Sequence, residues 1–252
     1  MLKQNSNPVL NKVRKDSKEI AITEGASYLG VIIKTGILFA IMVVSAVLGI
    51  VLLGAYPTVA IGILIASLFV ALISVFVASF VPRLAMPFSI IYAAAEGLLL
   101  GMISLVYAAS FPDFNIIPLA LMITFGIFGG MLALYSTKLI VVTNRFKRVM
   151  LGISFAILFS FVIVFIASIF DGGATRHLLF GDVNSPLVLL IAILLIFYGA
   201  FMLVWSFDDA KNIVESGAPK RYEWLVGLGL VVSTVYIYLQ VLRLLAILAS
   251  RD

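Results

Sequence analysis

Residues 36–81 have the sequence GILFAIMVVSAVLGIVLLGAYPTVAIGILIASLFVALISVFVASFV. These 46 residues contain no charged side chain, and their one proline, Pro57, lies close to the middle. An α-helix needs about 20 predominantly apolar residues to cross the hydrocarbon core of a bilayer. The stretch therefore predicts two transmembrane helices, over residues 36–56 and 58–81, with Pro57 ending the first.

Five further apolar stretches of similar length follow along the chain. Short polar or proline-containing segments separate them, and they cover residues 88–110, 116–137, 149–170, 187–207 and 225–250. The predicted fold class is all-α, a polytopic membrane protein built as a bundle of seven transmembrane helices. Residues 1–27 are polar and have no signal-peptide pattern, so we expect a polar cytosolic N-terminal arm there and a transmembrane domain over residues 28–252.

The composition agrees with this prediction and argues against several classes of function. Of the 252 residues, 63% are hydrophobic and 12% are charged, and the mean hydropathy is +1.21, far from the balance of soluble domains. Because the chain has no cysteine and one histidine, we expect no thiol chemistry, no His-based metal centre and no cofactor. The net charge of +5 is assigned to membrane topology and not to nucleic-acid binding.

The lysine and arginine residues are distributed unevenly between the predicted loops. If the N-terminal arm is cytosolic, fourteen of the 17 lie on the cytosolic side, and Arg176, Arg243 and Arg251 lie on the other. The positive-inside rule then predicts that the N-terminus and the basic loop 138–148 are cytosolic. With seven spans, the C-terminus is predicted to lie outside.

Glu96 is the only acid well inside a predicted span, about eight residues and roughly 12 Å from Phe88. Ionisable groups at this depth face the interior of a bundle or an aqueous cavity. Gly97 and Gly101 form a small-xxx-small step that lets a neighbouring helix approach. Two interpretations stay open: a proton or cation site, and a protonated acid hydrogen-bonded between helices.

The seventh span carries polar or small residues at intervals of four, three, four and three, which places them on one helical face. This face is predicted to point into the protein and to contact Glu96, because two of its members lie at a similar depth. The last member is interpreted as a guanidinium reaching the outer headgroups, too far from Glu96 for a direct pair. The face consists of Gly229, Ser233, Tyr236, Gln240 and Arg243.

Asp208 and Asp209 stand at the cytosolic end of the sixth span. They are either hydrated interface charges or members of an ion pathway or pH-sensing site. No span combines a serine or aspartate nucleophile with a nearby base, and His177 lies in a predicted loop. An enzyme is therefore not expected.

Several stretches together resemble the bacterial branch of the Bax inhibitor 1 family. They are NPVL at residues 7–10, KT at 34–35, YAAAEGLLLGMIS at 92–104, GAPKRYEW at 217–224 and YLQVLRLL at 238–245. The resemblance implies a seven-helix fold with the last helix near the bundle centre, in the bacterial cytoplasmic membrane. For some members it also implies a pH-sensitive calcium leak governed by paired carboxylates on the last two helices.

One position departs from that family pattern. Gln240 stands where the pattern leads us to expect an acid after Tyr-Leu, and glutamine does not titrate. Asp208 or Asp209 would be the surviving acid, facing Gln240, and the pH dependence of any leak should be weaker than in relatives with the paired acid.

Two functions are therefore carried forward. The first is a pH-modulated cation (calcium) leak channel, with calcium or protons as the ions. The alternative is a non-transporting regulator that binds a membrane protease or other membrane proteins. Besides these, the lipid bilayer is the expected partner.

Overall fold

A computed structural model describes residues 25–170, 172 and 185–251. Within those ranges the chain forms seven long helices, each long and apolar enough to cross a membrane. They are α1 (Tyr28–Ala55), α2 (Pro57–Phe80), α3 (Ala85–Ser110), α4 (Ile116–Ser136), α5 (Asn144–Phe170), α6 (Pro186–Glu215) and α7 (Tyr222–Ala249). The prediction of an all-α bundle of seven transmembrane helices is confirmed.

The helices are longer than the apolar stretches predicted. The 28 residues of α1 extend about 42 Å, which exceeds the roughly 30 Å of the hydrocarbon core. Helical hydrogen bonding continues into the headgroup region, because the backbone is satisfied there as it is in the core. As a result α1 includes Lys34, α5 includes Lys147 of the predicted basic loop, and α6 continues past its predicted apolar stretch to include Asp208 and Asp209.

Local sequence explains several helix ends. The side chain of Ser27 accepts a hydrogen bond from the backbone N–H of Gly30 at 3.0 Å and so caps the start of α1. Pro57 and Pro186 occupy the first turns of α2 and α6, where a missing N–H has no cost. Pro57 ends α1 as predicted.

Helix α7 occupies the centre of the bundle. In the most apolar 18-residue stretch of α7, 67% of the residues are buried inside the protein, compared with 6% in the corresponding stretch of α5. It packs against α1, α3, α4 and α6. The expectation that the last helix lies near the bundle centre is confirmed.

The close packing of α3 on α1 depends on the predicted glycine step. A Cβ atom added at Gly97 would come within 2.7 Å of the Ser45 Cβ, and one added at Gly101 would overlap the backbone of Ala46. These contacts confirm that the step lets a neighbouring helix approach, and they identify that helix as α1.

Helix α5 is the least integrated of the seven. Met150 is the only one of its residues that is buried, and α5 packs on α6 alone among the described helices. Its sides carry exposed phenylalanines such as Phe159, Phe165 and Phe170. These side chains are suited to a lipid environment.

Some predictions fall outside the described residues. The arm is described only from Gly25 onward. Arg176 and His177 of the loop after α5 also lie outside the described ranges.

Candidate functional site at the interface between helices six and seven

A seam of polar groups runs between α6 and α7. The hydroxyl oxygens of Ser206 and Ser233 are 3.0 Å apart, and Ser233 donates a hydrogen bond to the carbonyl oxygen of Gly229 at 2.9 Å. Further along, the rings of Tyr198 and Tyr236 meet edge to face with centroids 5.7 Å apart. The predicted polar face of the last span therefore points into the protein at Ser233 and Tyr236, toward α6.

The seam contains buried polar atoms that no described residue satisfies. The hydroxyl oxygen of Tyr236 and the side-chain carbonyl oxygen of Gln240 are both buried; the Gln240 side chain lies beside the Tyr236 hydroxyl, but neither oxygen has a well-formed hydrogen bond to a described residue. Arg243 continues the same helical face and is partly exposed near the far end of α7. Unsatisfied polar groups inside a membrane are costly, so this part of the seam favours hydration.

Glu96 does not contact this seam through hydrogen bonds. Helix α3 meets α7 on another side, where Ser89 donates to the carbonyl oxygen of Trp224 at 3.4 Å and Ser104 is 2.7 Å from the Tyr238 hydroxyl. Glu96 lies between these two levels, is half-buried, and makes no hydrogen bond or ion pair with any described residue. The predicted contact of Glu96 with Ser233 or Tyr236 stays a prediction, because the described interactions of those two residues are with Ser206 and Tyr198 of α6.

The two aspartates at the end of α6 share one lysine. The ammonium of Lys147 lies 2.8 Å from Asp208 Oδ2 and 3.0 Å from Asp209 Oδ1. Asp208 also accepts hydrogen bonds from the Tyr135 hydroxyl at 3.3 Å and from the Asn212 amide at 2.8 Å. The side chain of Asp208 is 15% exposed and that of Asp209 50%, so Asp208 is held inside a network and Asp209 faces solvent.

Gln240 is not the partner of either aspartate, contrary to the expectation from the family pattern. Ser206 contacts Gly229 and Ser233, which fixes the level at which α6 and α7 meet. Because the two helices are antiparallel, the aspartates lie beyond Ser206 toward one end of the bundle and Gln240 lies toward the other. The separation along the helix axis is roughly 15 Å at 1.5 Å per residue.

A small cleft extends from Asp209 to the start of the seam. Its volume is about 180 Å³, and its lining includes Asp209, Asn212, Ser206 and Gly229. Asp209 is thus on the same surface as the serine pair that begins the polar seam. This continuity makes the end of α6 the mouth of the candidate pathway.

A buried ion pair that the sequence analysis did not predict joins α1 to α7. Lys34 pairs with Glu223, whose side chain is 0% exposed, and Lys34 also donates to the carbonyl oxygen of Lys220 at 3.0 Å. The backbone N–H of Ser27 donates to Glu223 at 2.8 Å. A Cβ at Gly30 would overlap the Glu223 carboxylate, so this close approach requires glycine.

The sequence offered no direct reason to pair Lys34 with Glu223. Lys34 was counted among the cytosolic cations, and Glu223 was one letter of GAPKRYEW. The available signal was that an acid and a cation stand at the starts of two apolar spans on the same side of the membrane. A single sequence does not show that these two spans are neighbours.

Metal binding has little support in the described part of the chain. Those residues contain no group of three or more histidine, cysteine, aspartate or glutamate side chains placed to hold a metal ion. The carboxylates of Asp208 and Asp209 are bridged by an ammonium group. A cation that binds there must displace Lys147 or approach Asp209 from solvent.

These features define a polytopic membrane protein of seven helices with a polar seam along its central helix. The family model described as Bax inhibitor 1 like matches residues 7–250, nearly the whole chain. The protein belongs to this family. No curated protein and no solved structure matches the chain.

Proposed function

We propose that the protein is a pH-modulated cation leak channel, with calcium as the first candidate ion. Its proposed location is the bacterial cytoplasmic (inner) membrane, with the N-terminus in the cytosol and the C-terminus outside. This orientation rests on the distribution of basic residues and is tested by the topology experiment in the Discussion. No catalytic role is proposed.

The polar seam between α6 and α7 carries this proposal. A cation crossing a bilayer needs polar groups or water along its whole path, because an isolated charge in hydrocarbon is strongly disfavoured. The seam supplies the Ser206–Ser233 pair near one end and the unsatisfied oxygens of Tyr236 and Gln240 further in. Water is the natural partner for those two oxygens.

The ion pair of Lys147 supports a closed resting state. Its ammonium occupies the position that a cation would take beside the carboxylates of Asp208 and Asp209. Lys147 is carried by α5, which packs on α6 alone among the described helices. A small displacement of α5 would therefore expose both carboxylates without disturbing the central helix.

Flux measurements on purified protein test the proposal. The protein would be reconstituted in liposomes loaded with a calcium dye, and leak would be followed between pH 5 and 8, a window around the carboxylate and histidine range. Lys147→Met should raise the leak severalfold, because it removes the tethered cation. Asp208→Asn and Asp209→Asn, made singly on the Lys147→Met background, should lower it.

Matched variants separate this mechanism from general disruption. Arg83→Gln removes an exposed cation in the turn between α2 and α3, away from the seam, and should leave the leak unchanged. Gln240→Glu adds a titratable acid to the seam and should strengthen the pH dependence, because glutamine does not titrate. The proposal is wrong if wild-type vesicles leak no faster than protein-free vesicles at every pH, or if Lys147→Met and Arg83→Gln behave alike.

The alternative function is a non-transporting regulator that binds a membrane protease or other membrane proteins. The weak attachment of α5 favours it, since a helix with one buried residue leaves nearly its whole surface for a partner helix. Site-specific photo-crosslinking from exposed positions of α5, such as Phe159, would test it in intact membranes. The regulator function is supported, and the leak-channel function rejected, if the protein conducts no ions and crosslinks to a partner from α5 but not from exposed positions of α2, such as Phe69.

A further inference from the structure

A second cleft lies at the end of the bundle where α4 and α6 stop. Its volume is about 310 Å³. Its lining includes Lys138, Lys211 and Ser136, together with residues 140–142 of the loop between α4 and α5, which are isoleucine and two valines. Cations on one side and apolar groups on the other match an amphiphilic ligand.

The one acid that lines this cleft has a cationic partner, which it shares with Asp209. Asp208 pairs with Lys147 at 2.8 Å and accepts hydrogen bonds from Tyr135 and Asn212. The lining itself carries two lysines against this one aspartate. The cleft retains an excess of positive charge.

Both lysines of the cleft are free to bind an anion. Lys138 is exposed and forms no ion pair with any described residue. Lys211 has one contact, 3.9 Å from Glu215, in which the two side chains are 44% and 58% exposed. A pair this long and this hydrated contributes little, so an anion can replace it.

The loop beside the cleft is suited to the membrane interface. Between α4 and α5 it carries Leu139, 74% exposed, and Val141, 62% exposed, in a segment without helix. In water these side chains would be unfavourably placed, but at the interface they reach acyl chains while Lys138 stays at the level of the headgroups. The cleft thus opens where lipid headgroups lie.

We propose that this cleft binds the phosphate headgroup of an anionic phospholipid from the leaflet at this end of the bundle. Lys138 and Lys211 contact the phosphate, and Leu139 and Val141 lie beside the acyl chains. The site shares Asp208 with the Lys147 ion pair, and its other lining residues lie outside the seam between α6 and α7. It does not depend on whether the protein conducts ions.

Native mass spectrometry of the detergent-solubilised full chain tests this site. The protein is mixed with equal amounts of phosphatidylglycerol and phosphatidylcholine, and the ratio of the two bound lipids is measured. Wild type should favour phosphatidylglycerol by about 25-fold, and Lys138→Gln with Lys211→Gln should bring the ratio close to one. Each lysine is expected to contribute about fivefold.

Three further samples complete the experiment. Arg83→Gln with Arg221→Gln removes two exposed cations outside the cleft and should keep the preference. Lys138→Arg with Lys211→Arg keeps the charge and should also keep it. If the double glutamine variant does not fold, Lys138→Gln alone carries the test, because this exposed side chain has no ion pair to lose.

Three results would overturn the assignment. The first is a double glutamine variant that retains the lipid preference. The second is an equal loss in the control with Arg83 and Arg221 changed, which would indicate diffuse attraction. The third is removal of phosphatidylglycerol from wild type by millimolar inorganic phosphate, which would make the ligand a free anion and not a lipid.

Discussion

Replacing Lys34 by methionine should destabilise the protein far more than replacing a surface lysine. The substitution keeps an unbranched side chain of similar length and removes only the ammonium group. Glu223 would then remain fully buried with the backbone N–H of Ser27, at 2.8 Å, and the Ser27 hydroxyl, at 3.3 Å, as its remaining donors among the described residues. A buried carboxylate that loses its counter-ion carries an uncompensated charge.

The expected loss follows from the burial of the pair. Breaking a buried ion pair by removing one partner costs about 3–5 kcal/mol of unfolding free energy. The half-exposed pair of Lys211 and Glu215, at 3.9 Å, should contribute about 0–1 kcal/mol. Lys34→Met should therefore exceed Lys211→Met by roughly 3 kcal/mol, or about a hundredfold in the folding equilibrium.

A double variant separates loss of charge pairing from loss of packing. Lys34→Met with Glu223→Gln removes the buried charge and leaves an amide that still accepts from Ser27, so it should be more stable than Lys34→Met alone. Unfolding free energies would be measured by SDS titration in mixed micelles. The reasoning is refuted if Lys34→Met lies within about 1 kcal/mol of Lys211→Met, the range of an exposed pair, or if the double variant is the less stable.

Three other predictions test the packing, the intramembrane acid and the topology. Gly101→Val should lower the unfolding free energy of the protein by about 3 kcal/mol or more, because the added side chain meets the backbone of α1. Gly130→Val is the control: no atom lies within 4 Å of an added Cβ there, so the same titration should show a change of less than about 1 kcal/mol. Glu96→Gln should leave the protein folded, since no described residue bonds to Glu96; loss of calcium flux in this variant would mark Glu96 as an ion site, and unchanged flux would assign it no part in the pathway. A reporter active only outside the cytosol should be active when fused after Asp252, and activity confined to a cytosolic reporter would contradict the orientation with the C-terminus outside.

The membrane architecture could be predicted from the sequence because its cause is local. A run of some 20 apolar residues is a transmembrane helix whatever its neighbours are, and Pro57 marks a break by its own geometry. The close approach at Gly97 was also predictable, because only a small residue permits it. The helix ends were less accurate, since helices continue past the hydrocarbon into the headgroup region.

The partners of the polar residues could not be predicted in the same way. Depth along a helix can be estimated from the sequence, but depth says nothing about which helix lies beside which face. By family pattern, Gln240 was expected to face Asp208 or Asp209, and only the level at which α6 and α7 meet shows that it is separated from both.

By itself, the sequence determined the number of spans and the asymmetry of positive charge, because each follows from the solvent that surrounds the chain. The tertiary structure decided which charges meet. The buried pair of Lys34 and Glu223 and the bridge from Lys147 to Asp208 and Asp209 each join helices far apart in sequence. Electrostatic pairing acts over a few ångströms, so it depends on how seven similar helices are arranged around α7, which no single span encodes.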